Sequence, residues 1–208
     1  MSDIILKNIC KSYHSKVVFQ DFSAVIEENT LTIITGSSGC GKSTLLNMIG
    51  LLDKPDSGTL EMFGTTNVKP FSKKAEKLLR EKIGYLFQNY ALIENETVND
   101  NLMIALEYVK GEKKKMITES LEKVGLTGYE NKKIYQLSGG EQQRVALARL
   151  MLKPCELVLA DEPTGSLDDN NKEIVMNIIK ELQNQGKTII LVTHDLSLLK
   201  YADKHIQL

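Results

Sequence analysis

The sequence predicts an α/β fold, with a sheet core entered through N-terminal β structure and a helical insertion at about residues 89–136. Three observations predict it. Apolar runs of four to six residues, at 31–35, 157–160 and 188–193, alternate with segments of helical periodicity. That is the pattern of a parallel sheet covered on both faces. A glycine-rich stretch, residues 36–43, follows the first run directly and precedes a helical pattern. Residues 97–124 hold helical periodicity through Val98, Leu102, Ala105, Leu106 and Val109, and no strand candidate.

Taken in order, residues 4–9 and 17–26 read as strands around a turn at 12–15. Residues 31–35 are a β-branched strand. A helix follows, with Leu45, Met48, Ile49 and Leu52 on one face. Lys-Pro-Asp-Ser-Gly (54–58) is a turn leading to a strand at 59–62, and 83–87 is a further buried strand. After the helical middle, 140–152 suits a helix and 157–160 a strand. Ile174, Val175, Ile178, Ile179 and Leu182 define a helix, and 188–193 a last strand. No internal repeat is visible.

With 208 residues, the chain suits one domain with a sub-lobe and a core that needs no staples. Lys plus Arg is 26 against 27 Asp plus Glu, a net charge of −1, which argues against a nucleic-acid-coating protein. Cys10, Cys40 and Cys155 give no disulfide framework or zinc spacing and read as free thiols in a reducing compartment. No signal peptide is visible, and no apolar run approaches the roughly 20 residues of a spanning helix, so a cytoplasmic location is expected. Two lysine clusters, 69–77 and 110–115, are diluted by glutamates and read as solvated faces rather than anion sites.

Gly-Ser-Ser-Gly-Cys-Gly-Lys-Ser (36–43) matches G-x-x-x-x-G-K-[ST] between a strand and a helix. The glycines let backbone N–H groups turn inward around phosphates, and the helix start adds positive potential. Lys42 would reach the outer phosphates and Ser43 would hold Mg²⁺. Cys40 reads as a small residue tolerated at a free position, with a redox switch as the other reading. Leu-Val-Leu-Ala-Asp-Glu (157–162) delivers Asp161 to a strand's carboxyl end, where it would hold the metal through water. Glu162 would face the other way, where an attacking water is polarised. In Leu-Ser-Gly-Gly-Glu-Gln-Gln-Arg (137–144), Ser138, Gly139 and Gly140 form a second anion-ready helix start. One nucleotide does not sit easily on two such starts in different lobes. Two copies arranged head to tail, with two composite sites, solve the problem.

On these motifs the sequence resembles the nucleotide-binding subunit of an ABC transporter over essentially its whole length. Residues 36–43 resemble the Walker A loop, 137–141 the family signature and 157–162 the Walker B strand. The resemblance implies a P-loop NTPase of ABC type, with a mixed sheet core, an N-terminal antiparallel β subdomain and an inserted α-helical subdomain. It implies one ABC ATPase domain over 1–208, with the core at 1–88 and 137–208 and the helical lobe at about 89–136. ATP would be held by Tyr13, stacked on adenine, by Gly36, Ser37, Ser38, Gly39, Cys40, Gly41, Lys42, Ser43 and Thr44, and by Ser138, Gly139, Gly140 and Asp168. Ser166, Leu167 and Asp168 resemble the loop that crosses to a second copy. Glu162, His194 and Gln88 are the implied catalytic residues, and Ser43, Gln88 and Asp161 the implied Mg²⁺ ligands. His14 and His205 are given no role.

Residues 88–93, 97–102 and 161–168 further resemble the macrolide-exporter and lipoprotein-release branch, and within it ATPases paired with bacteriocin or antimicrobial-peptide exporters. Expected partners are an integral-membrane permease and a second copy of the chain, with no nucleic acid. The expected location is the inner face of the cell membrane, through the permease, which would dock near Tyr90, Leu92 and Ile93. An ATPase regulating a membrane-bound cell-wall enzyme would use the same cassette and is the alternative. A phosphate-loop kinase leaves residues 137–140 and 161–168 unexplained. Two departures stand out: Glu141 where glutamine is commoner, and no proline in 131–136.

Overall fold

The computed structural model of the chain describes residues 3–165 and 167–208. β1 (Ile4–Tyr13) and β2 (Lys16–Ile26) form an antiparallel hairpin. Its turn is only two residues long, with His14 at φ 53, because Ser12 and Tyr13 pair with Val17 and Lys16. The chain then enters β3 (Leu31–Thr35), buried throughout, and α1 (Lys42–Ile49). It returns as β4 (Ser57–Met62) and a short β5 (Thr65–Thr66), completing a sheet in the order β2-β1-β4-β5. The helix predicted to reach Leu52 stops earlier: Gly50 caps it and Leu51 turns left-handed at φ 57.

α2 (Lys73–Glu81) carries the first lysine cluster and buries only Ala75, as a solvated helix does. β6 (Ile83–Leu86) follows. The middle segment divides into α3 (Val98–Met103) and α4 (Lys113–Lys123), separated by a 3-10 turn at Ile104–Leu106 and by Gly111 at φ 125. Then come α5 (Gly139–Leu152), β7 (Leu157–Asp161), α6 (Asp169–Asn184), β8 (Thr188–Thr193) and β9 (Lys204–Gln207). The second sheet runs β6-β7-β8-β3-β9, with parallel pairing throughout. β9 escapes sequence reading because it is an edge strand with one half-buried residue, Ile206, and no apolar run.

Alternation along β7 and β8 divides the core in two. Val158, Ala160, Ile189 and Leu191 face α5 and α6, while Leu157, Leu159, Ile190 and Val192 face α1 and the N-terminal sheet. Each such Leu or Ile contributes about 1.5–3 kcal/mol by leaving water. The α3–α4 segment joins the first cluster: Val98, Leu102, Ile117 and Leu121 share it with Val145 and Leu147 of α5.

Asn101, fully buried on α3, pins the preceding loop. Its Oδ1 accepts from Ile93 N at 2.7 Å, and its Nδ2 donates to Ile93 O at 3.1 Å and Thr97 O at 2.9 Å. Asn101→Ala strands these buried backbone groups and is expected to destabilise the chain by about 2–3 kcal/mol, read as a lowered urea midpoint at unchanged slope.

Candidate nucleotide site

The loop between β3 and α1 wraps around its own lysine. Lys42 Nζ donates to Gly36 O at 2.8 Å and Ser37 O at 3.1 Å, leaving the residue 8% exposed. Gly41, at φ 110, approaches β2 so closely that a Cβ would lie 2.7 Å from Val18 Cγ1. Only glycine meets both demands. Cys40 is a half-buried free thiol packed within the loop, its Sγ 2.6 Å from where a Cβ on Gly36 would stand.

The loop forms one wall of an open cleft of about 630 Å³. Ser38, Gly39, Lys42, Ser43 and Thr44 line it from the loop side, and Asp161, Glu162, His194 and Gln88 from the other strand ends. Tyr13 stands at its hairpin end. Lys16 and Val18 also line the cleft, and Lys16 Nζ donates to Gly39 O at 3.2 Å. Sequence reasoning missed both, since nothing local distinguishes them from other strand residues.

Ser43 Oγ donates to Asp161 Oδ1 at 3.3 Å. Burial pushes the Asp161 carboxyl up, as does the neighbouring Glu162 charge, against the Ser43 hydrogen bond and the Lys42 charge. Strand alternation was expected to send Glu162 away from Asp161. It does not, because β7 ends at Asp161 and Glu162 adopts φ 47, turning both carboxylates toward the cleft. A left-handed glutamate costs about 1 kcal/mol or more. Surrounding bonds hold it there. Glu162 N donates to Val192 O at 3.0 Å, Thr193 Oγ1 donates to Glu162 Oε2 at 3.1 Å, and His194 Nδ1 lies 2.9 Å from Glu162 Oε1.

Paired hard oxygens from Ser43 and Asp161, with Gln88 on the same cleft, suit Mg²⁺. That ion takes few protein ligands and completes its octahedron with water and phosphate oxygens. His205 does not line the cleft and is bonded to Thr35 Oγ1 at 2.7 Å, and His14 sits in the hairpin turn.

Ser138, Gly139 and Gly140 lie outside the cleft's lining, at the start of α5. Ser138 caps α5 in a reciprocal box with Glu141. The Glu141 carboxylate accepts from Ser138 N at 2.8 Å, Ser138 Oγ at 2.9 Å and Tyr129 OH at 2.8 Å, and these bonds hold it below the usual carboxylate range. Asp168 caps α6, accepting from Asn171 N and Nδ2. Asn171 Oδ1 in turn accepts from Arg144 of α5 at 2.7 Å, a link between the two helix starts that no motif announces. Ser166 lies outside the described residues.

A phosphate loop at the carboxyl edge of a parallel sheet, facing an Asp–Glu pair and a histidine, defines a phosphate-loop nucleoside triphosphatase core. Residues 19–165 match the ABC transporter family. The chain is 40% identical over 210 residues to an uncharacterized ABC transporter ATP-binding protein of Methanocaldococcus jannaschii, covering 97% of this chain and 93% of that one. It is 38% identical over 211 residues to the macrolide export ATP-binding/permease protein MacB of Campylobacter jejuni, covering 99% of this chain and 32% of that protein. The chain thus spans about a third of the MacB relatives' length. The dimeric structure of the cassette MJ0796 superposes with a TM-score of 0.89 at 35% identity, over 99% of this chain and 94% of that one. A second MJ0796 structure, a dimeric post-hydrolysis state bound to ADP and Pi, gives 0.89 at 34% identity with the same coverage. The chain belongs to the ABC transporter family, as an ATP-binding ATPase cassette with relatives in the macrolide-exporter branch.

Beside His194, Asp195 accepts from Lys172 Nζ at 2.8 Å and Ser197 N at 2.9 Å. The Lys172 and Ser197 hydrogen bonds lower its pKa from 3.8 to about 2. A depressed carboxylate stabilises the fold above its unfolded pKa and loses that contribution as pH falls through the folded one. Asp195→Asn is expected to destabilise by about 1–2 kcal/mol at pH 6, after allowance for solvent screening. The difference from the parent should close between pH 4 and pH 2 in denaturant titrations.

Proposed function

We propose that the chain binds and hydrolyses Mg·ATP between two copies of itself and drives a separate integral-membrane permease at the inner face of the cell membrane. One observation carries this reading. The phosphate loop meets Asp161, Glu162, His194 and Gln88 in a single open cleft, while Ser138, Gly139 and Gly140 stand apart at another helix start. A second copy presenting that helix start would complete the site, and dimeric MJ0796 supports the arrangement.

Lys42, Ser43 and the loop amides would offset the triphosphate charge, with Thr44 at the helix start and Tyr13 under the adenine. Mg²⁺, held by Ser43, Asp161 and Gln88, would neutralise charge on the phosphates. The Glu162 carboxylate takes a proton from water as the water oxygen bonds the γ-phosphorus. The bond from that phosphorus to the bridging oxygen breaks, leaving its electrons on ADP, and phosphate departs. His194, already bonded to Glu162, orients that base and reaches toward the γ-phosphate. Asp168 would contact the second copy.

Residues 1–88 and 137–208 would act as the core and about 89–136 as the moving helical lobe. Between them lies a hollow of about 370 Å³ lined by Tyr85, Phe87, Ile104, Tyr108, Arg80 and Arg149. A permease segment would seat there. Of the positions expected to meet it, Tyr90 and Leu92 pack against the core, whereas Ala91 lines the hollow and Ile93 is half exposed. Among the described residues no helix is long and apolar enough to cross a membrane. The reading extends to export of a peptide, antibiotic or lipid-linked substrate; its export direction is supported by relatives named for macrolide export and for syringafactin export.

Glu162→Gln is expected to lower ATP turnover at least about 100-fold, while Mg·ATP still binds and holds a dimer in light scattering. Turnover at the parental rate would remove Glu162 as the base. Lys42→Ala is expected to weaken ATP binding about tenfold or more by calorimetry, and unchanged affinity would count against the phosphate-loop assignment.

A further inference from the structure

Tyr13 is held from behind by a charge cluster on β1 and the turn after α1. Its phenol donates to Asp53 Oδ2. The other Asp53 oxygen accepts from Lys11 Nζ at 2.8 Å and from Lys54 N at 2.7 Å. Lys11 is only 5% exposed. Its ammonium also donates to Lys54 O at 2.9 Å and lies 3.8 Å from Asp56 Oδ1. The same ammonium stands over the Tyr13 ring, 4.7 Å from its centroid. Lys11, Asp53 and Tyr13 therefore form a closed triangle, each touching the other two.

Burial pushes the Asp53 carboxyl up, but the Lys11 and Tyr13 hydrogen bonds outweigh it and hold the group below its ordinary value. The pair is ionised at neutral pH, and a buried lysine persists only with such a partner. Tyr13 remains 43% exposed and lines the nucleotide cleft. The cluster thus terminates in a ring that faces the cleft with its hydroxyl fixed and one face covered by a cation.

We propose that Asp53 and Lys11 are positioning residues that lock the Tyr13 ring, so that the base of the nucleotide stacks on a preorganised platform. This rests on Tyr13 being that platform. The Lys11 ammonium occupies one ring face and leaves the other to the base. A tethered ring has already lost the rotamer freedom that a free tyrosine would lose on binding. Neither Asp53 nor Lys11 touches a phosphate or a reacting atom in this scheme. Their effect falls on base recognition alone.

The test compares calorimetric Kd values for Mg·ATP and for magnesium tripolyphosphate, which has phosphates and no base. Tyr13→Phe and Asp53→Asn are each expected to raise the ratio of the ATP Kd to the tripolyphosphate Kd about three- to tenfold. A merely loosened fold would weaken both probes and leave the ratio unmoved. Tyr13→Phe keeps the ring and the Lys11–Asp53 pair, so its outcome does not depend on the folding of Asp53→Asn. An unchanged ratio in Tyr13→Phe, with a raised ratio in Tyr13→Ala, overturns the positioning role and leaves the platform standing. An unchanged ratio in Tyr13→Ala overturns both.

Discussion

The cleft depends on the parallel register of three adjacent strands. Thr35 of β3 pairs with Thr193 of β8, and Asp161 of β7 pairs with Val192, so the three carboxyl ends stand level. The residues that follow each end then converge: the phosphate loop after β3, Glu162 after β7 and His194 after β8. Apolar residues on both faces hold this register. A slip by one residue would send each strand's core set to the wrong layer. The short-range bonds of the site, Lys42 into its loop and Glu162 onto His194 and Thr193, are then made between elements already at the right height.

A second link runs from the sheet to the helical segment. Arg149 of α5 donates to Ala91 O at 2.6 Å and to Tyr90 O at 2.7 Å. Both acceptors belong to residues with positive φ, 62 for Tyr90 and 48 for Ala91. Burial lowers the guanidinium's pKa, yet it remains a cation paired only with neutral carbonyls in these bonds. The turn after Gln88 is thereby tied to the helix that begins at Ser138. The hollow and the second helix start share one helix, α5, that packs on β6, α3, α4 and α6.

Local chemistry made much of this legible in advance. The phosphate loop is recognisable because its glycines answer steric demands made within a few residues. The runs at 157–160 and 188–193 read as strands because a two-sided core leaves no room for polar alternation. What stayed hidden was cheap in sequence terms: β9 has one half-buried residue, and Lys16, Val18 and Asp53 act through distant neighbours. Glu162 was expected to face the other way from Asp161, where an attacking water is polarised, and it lines the same cleft as Asp161 because alternation holds only while a strand lasts. Glu141, where glutamine is commoner, serves as the capping carboxylate of the Ser138 helix start.

By itself, the sequence determined the α/β class, the phosphate loop, the two acidic positions and the helical middle, because each is written in contiguous residues obeying short-range sterics and burial. Tertiary structure alone decided which of them meet. It brought Tyr13 to Asp53 across 40 positions and Ser43 to Asp161 across 118, and it turned Glu162 back beside Asp161. Those encounters are set by strand order and register, which arise from packing between segments far apart in the chain.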